Sequence, residues 1–131
     1  MQLNDAIDAA GAATEQAYAP YRGFRVGAAI LTRDGAMYDG CNVENASYGL
    51  SICAERGAVM KMVAGSQPGD RKVRLVAVVS PNTAPCFPCG ACRQVLREFG
   101  CEEVVVLDAD GAPLRYPFEE ILPNSFGPEA L

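Results

Sequence analysis

Two apolar runs, Val73 to Ser80 (VRLVAVVS) and Glu103 to Leu107 (EVVVL), flank a helical segment from Gly90 to Phe99 that Gly100 closes. Runs this rich in β-branched residues suit central, buried strands. Strands separated by a helix need a crossover connection, which makes that portion of the sheet parallel. Upstream, Leu3, Ala6, Ile7, Ala10, Thr14 and Ala17 recur at helical spacing and predict an amphipathic helix ending before Pro20. Arg25 to Thr32 reads as a strand, Asp34-Gly35 as a turn, and Ala36 to Cys41 as the return strand of a hairpin. Ser51 is placed to cap a second helix from about Cys53 to Ala64, stopped by Gly65. Four prolines after residue 112 leave room there only for short elements. The expected fold is one domain over residues 1–131, an α/β three-layer α/β/α sandwich around a mixed, mostly parallel, five-stranded sheet.

Composition narrows the class of function. Half of the residues are hydrophobic, enough for a real core, yet no apolar run approaches the roughly 20 residues that cross a bilayer. The segment through Thr14 carries Asp5 and Asp8 and no basic residue, unlike a secretory leader, so a cytoplasmic location is expected. Net charge is −5, from 11 basic and 16 acidic residues, with no cluster of Lys or Arg. A nucleic acid polymer is therefore not the expected partner, and a small neutral substrate fits better. The chain contains no histidine, which removes histidine ligands and the commonest general base together.

Six cysteines remain, at 41, 53, 86, 89, 92 and 101. Cys53-Ala54-Glu55 opens the second expected helix, and Pro88-Cys89-Gly90-Ala91-Cys92 opens the third. If both helices lie on one face of the sheet, their N-termini bring three thiols together. Zinc takes thiolates in tetrahedral geometry, and a catalytic site keeps its fourth position open. Free N–H groups and the positive dipole end at a helix start favour the thiolate form. Arg56 is a candidate cation to offset the charge of three thiolates. Cys86 leaves an alternative open, because Cys53, Cys86, Cys89 and Cys92 could close a four-cysteine structural site. Cys41 and Cys101 read as buried and inert.

The pairing of Cys53-Ala54-Glu55-Arg56 with Pro88-Cys89-Gly90-Ala91-Cys92-Arg93-Gln94 resembles the signature of the cytidine deaminase family. Cysteine in the first ligand position is similar to its small homotetrameric branch. Tyr18-Ala19-Pro20-Tyr21, Phe24 to Ala29, Asn42 to Tyr48, and Leu122-Pro123 with Phe126-Gly127 resemble further family segments, so the likeness spans nearly the whole chain. Cys86 and Gly23 depart from the usual pattern. The resemblance implies one Zn²⁺ on Cys53, Cys89 and Cys92, and Glu55 as the proton carrier. It also implies Asn42 and Glu44 at the ribose 3′-hydroxyl and Phe24 against the pyrimidine. The amide of Ala54 and the carbonyl of Cys89 would meet the base edge. Phe126 would close a neighbouring subunit's pocket in a homotetramer. The implied reaction is hydrolysis of cytidine or deoxycytidine. Rival readings are an aminonucleoside deaminase of the blasticidin type, a zinc-stabilised structural module and, last, a Cys86–Cys89 redox module.

Overall fold

The structure is a computed structural model and describes residues 2–131. Helix α1 (Gln2–Ala13) leads through a 3₁₀ turn into β1 (Gly27–Thr32) and β2 (Met37–Cys41). Helix α2 (Ala54–Gly65), β3 (Val73–Val79), α3 (Gly90–Glu98) and β4 (Glu103–Leu107) follow, then β5 (Pro113–Pro117) and the single turn α4 (Phe118–Ile121). The five strands lie in the order β2-β1-β3-β4-β5. Alternation along the strands sorts the core into two layers. Ile30, Val76, Val78, Val104 and Val106 pack with Ala58, Met62 and Leu96 from α2 and α3. Ala29, Leu31, Leu75, Ala77 and Val105 pack with Ala6 and Ala10 of α1. The α/β/α sandwich and the mixed, five-stranded sheet are as the sequence implies.

The sheet is not mostly parallel. Only β3 and β4 pair in parallel, whereas β1–β2, β1–β3 and β4–β5 are antiparallel. Strand β3 does run in the direction of β2, as a crossover through α2 demands, but it docks on the far side of β1, so the two never pair. The tail supplies the fifth strand, β5, whose place the prolines at 113 and 117 concealed. An edge strand tolerates proline because one of its sides needs no ladder donor. The first strand begins at Gly27 rather than Arg25.

Two glycines let helices approach the sheet. A Cβ on Gly27 would stand 1.9 Å from the carbonyl oxygen of Ala10 in α1. A Cβ on Gly40 would stand 2.5 Å from both the Ala54 oxygen and the Ala58 nitrogen, in the first turns of α2. Strand β2 therefore carries the start of α2 directly on its backbone. Because β2 and β3 point the same way, the segments that leave them emerge at one edge of the sheet. Both α2 and α3 begin there, which is where α/β folds commonly place ligands. Among the described residues no helix is long and apolar enough to cross a membrane.

Candidate active site

Cys53 and Cys89 occupy the N-cap positions of α2 and α3, each with extended backbone, and Cys92 lies in the first turn of α3. Neither N-cap side chain makes a capping hydrogen bond. The first-turn N–H groups thus stay available to stabilise negative charge at the sulfurs. The Sγ atoms of Cys53 and Cys89 are 3.7 Å apart, those of Cys89 and Cys92 are 3.5 Å apart, and all three lie within 4.8 Å of one another. Tetrahedral zinc with Zn–S bonds of about 2.3 Å sets its sulfurs about 3.8 Å apart. The spacings of Cys89 from Cys53 and from Cys92 match the edges of such a site, and the third thiol pair lies within 4.8 Å. Among the described residues no fourth ligand joins the group, and Cys86 is outside it.

Charge in this cluster is organised around Cys53. A hydrogen bond from the Cys92 thiol, helped by Arg56 and Cys89, brings the Cys53 thiol down to about 5 against the opposing effect of burial. Cys92 is held well above the ordinary thiol range, first by that same bond and then by burial. Arg56 Nη2 donates to Cys53 Sγ at 3.5 Å, while its buried Nε has no partner. The guanidinium thus lies against the thiol cluster. Glu55 is only 4% exposed, and burial pushes its carboxyl up to about 7. Its own backbone amide at the helix start pulls the other way.

Against the cluster opens a cavity of about 370 Å³ lined by Cys53, Ala54, Glu55 and Cys89 together with Phe24, Asn42 and Glu44. Small-molecule sites commonly fall in the range of about 300–1,000 Å³. The Asn42 amide is stretched between two backbone groups: Oδ1 accepts from Val26 N–H at 2.8 Å and Nδ2 donates to the Phe24 carbonyl at 2.8 Å. Glu44 is tied to the backbone of an earlier segment. Its Oε1 accepts from the N–H groups of Tyr21 at 2.9 Å and Arg22 at 3.1 Å, and no hydrogen bond engages Oε2 among the described residues. The Cys89 carbonyl accepts the Arg93 N–H at 2.9 Å as the first bond of α3.

Of the residues singled out from the sequence, Phe126 alone is not brought to this cavity or the thiol cluster behind it. Its ring is 62% exposed at the far end of the tail. The cavity also gathers residues given no role by the sequence reading. Arg22 lies over the Tyr48 ring at 5.2 Å from its centroid, and Tyr21, Ile52 and Phe87 add apolar wall. Exposed aromatics in a polar, irregular segment were the available signal for Tyr48. Cys86 lines the same cavity, and burial pushes its thiol up to about 11. Cys101 is buried as expected, but Cys41 is only half-buried at the end of β2.

Comparison with known proteins agrees with this geometry. The family model for the cytidine and deoxycytidylate deaminase zinc-binding region matches residues 1–108. The chain is 41% identical to a cytidine deaminase of Sporosarcina psychrophila, over all of this chain and 96% of that one. It is 43% identical to a cytidine deaminase of Halalkalibacterium halodurans, over 98% of this chain and 94% of that one. Its fold overlays the crystal structure of cytidine deaminase from Burkholderia pseudomallei with a TM-score of 0.84 at 47% identity, covering 96% of this chain and all of that one. The cytidine deaminase of Mycobacterium tuberculosis gives 0.80 at 38% identity, over 97% of this chain and 98% of that one. A zinc-shaped thiol triad beside a buried carboxyl, on this sheet and with these relatives, places the chain in the cytidine and deoxycytidylate deaminase family.

Proposed function

We propose that the chain, working as one deaminase domain, hydrolyses cytidine and deoxycytidine to uridine and deoxyuridine with release of ammonia, as a step of pyrimidine salvage. The observation that carries this is Glu55, a carboxyl buried beside three converging thiols on the wall of a nucleoside-sized cavity. Cytosine C4 is electrophilic, but its amino group leaves poorly as an anion. Hydrolysis therefore needs an activated water and a proton for the departing nitrogen. Cys53, Cys89 and Cys92 would hold one Zn²⁺ per chain, which as a Lewis acid makes water nucleophilic near neutral pH. Glu55 follows Cys53 by two residues on the first turn of α2 and lines the same cavity. It would take one proton from water and hand it to ring N3, then take the second proton from the hydroxyl now on C4 and pass it to the amine, which leaves as ammonia while C4 becomes a carbonyl. Arg56 holds the Cys53 thiolate by its charge.

In the same cavity, Oε2 of Glu44 and the spare hydrogen-bonding capacity of Asn42 would read the ribose 3′-hydroxyl. A site built to bond a hydroxyl discriminates strongly against analogues that lack it. Phe24 would pack on the base, and the Ala54 amide and the second lone pair of the Cys89 carbonyl would meet its edge. The exposed ring of Phe126 would complete the pocket of another copy in a homotetramer acting in the cytoplasm. The decisive experiment is ammonia release from cytidine by the zinc-loaded chain beside Glu55→Ala. Release by the wild type, with a loss of at least about a hundredfold in the variant at equal zinc content, is expected. Equal rates in the two would end the proton-carrier reading. Silence in both, with zinc bound, would redirect the search to blasticidin-like aminonucleosides.

A further inference from the structure

Helix α3 turns Cys92 and Leu96 into the core and presents Arg93, Gln94 and Arg97 to the C-terminal segment. Gln94 Nε2 donates to the Phe126 carbonyl at 2.9 Å, and Arg97 Nε donates to Ser125 Oγ at 2.9 Å. Both Nη groups of Arg97 engage the Glu129 carboxylate, Nη1 at 3.2 Å, and hold that carboxyl below its usual range. Gly127 lies flat against the same guanidinium, for a Cβ there would come within 2.4 Å of Arg97 Cζ. The backbone on both sides of Phe126 is therefore pinned to α3, while the ring itself projects into solvent and lines no part of this chain's own cavity.

We propose that Gln94 and Arg97 are positioning residues for substrate binding in a neighbouring copy of the chain: they fix the tail so that Phe126 is presented ready-made to that copy's pocket. This rests on the reading that Phe126 completes a second copy's site. The physical reason is preorganisation. Residues 122–127 form no helix or strand, so an unpinned aromatic there would sample many positions and lose that freedom on each binding event. The helix that holds two thiols of one centre thereby also sets the aromatic wall of the next.

The test compares Arg97→Gln, Gln94→Ala, Gly127→Ala and Phe126→Ala as zinc-loaded enzymes, with Arg115→Gln as a remote surface control. Gly127→Ala approaches the clamp from the other side, since its methyl pushes the guanidinium off Ser125 and Glu129 without removing it. It carries the test should Arg97→Gln fold poorly. Loss of one or two hydrogen bonds corresponds to a rise in KM for cytidine of about three- to tenfold. The expected result is that rise in the three clamp variants, a larger one in Phe126→Ala, and kcat within about twofold throughout. Zinc content and assembly mass should be unchanged, Arg97→Lys should recover part of the loss, and Arg115→Gln should match the wild type. A raised KM in Phe126→Ala with unchanged KM in Arg97→Gln and Gly127→Ala would overturn the clamp and leave the shared site standing. Unchanged KM in Phe126→Ala would overturn the shared site, and the clamp with it. A loss in kcat with KM constant would also overturn the proposal.

Discussion

Replacing Gly40 by alanine should disable the site without replacing any residue that lines it. The added methyl would meet Ala54 O and Ala58 N at 2.5 Å and the carbonyl carbon of Gly57 at 3.0 Å, whereas ordinary contact begins at 3.4 Å. The obstacles are helix backbone, which cannot swing aside as a side-chain tip can. The start of α2 must therefore withdraw by about 0.9 Å, taking Cys53 and Glu55 with it. Overpacking of this kind costs about 1–3 kcal/mol, or about 4–11 °C in the unfolding midpoint of a chain this size. A misplacement near 1 Å at reacting groups costs on the order of a hundredfold in rate. Calorimetry and ammonia release on Gly40→Ala test both figures. Gly11→Ala is the control: nothing lies within 4 Å of that position in α1, and alanine should stabilise the helix by about 0.5–1 kcal/mol. A Gly40→Ala protein with the wild-type midpoint and turnover within about twofold would refute the idea that α2 rests on this glycine.

Arg56→Gln removes the donor to Cys53 Sγ, and zinc retention in a chelator competition should fall about ten- to a hundredfold. Cys86→Ser should keep one zinc per chain by metal analysis, because Cys86 is outside the thiol cluster; loss of metal and unfolding would instead favour a four-cysteine structural site. Burial raises the Cys101 thiol from 9.0 to about 12, so above pH 9 the unfolded chain gives up a proton that the folded chain keeps. Stability should therefore fall between about pH 9 and 12, and Cys101→Val should flatten that slope by up to about 1.4 kcal/mol per pH unit in denaturant titrations.

The thiol triad was legible because its three members stand at two helix starts, and helix starts are readable from local sequence. Cys53-Ala54-Glu55 and Pro88-Cys89 each mark one. Strand adjacency was not legible in the same way. The crossover through α2 fixes the direction of β3 but not which strand it lies beside, and insertion next to β1 turned an expected parallel pair into an antiparallel one. The place of strand β5 was hidden because proline argues against a central strand while saying nothing against an edge. The second occupations of Asn42 and Glu44 were also invisible. Their partners, the amides of Tyr21, Arg22 and Val26 and the carbonyl of Phe24, lie 16 to 23 residues away and are backbone groups that carry no sequence signature.

Those second occupations bear on how such an enzyme can change. Because both ends of the Asn42 amide rivet the chain from Phe24 to Val26, a replacement at position 42 would also loosen Phe24. Position 42 is thus poorly placed for gradual adaptation, since one exchange disturbs two residues of the cavity wall at once. Among the described residues the side chains of Arg22 and Tyr48 make no hydrogen bond to the backbone, and they meet each other face to cation. Variation of the cavity wall, by selection or in the laboratory, has its freer route through positions 22 and 48.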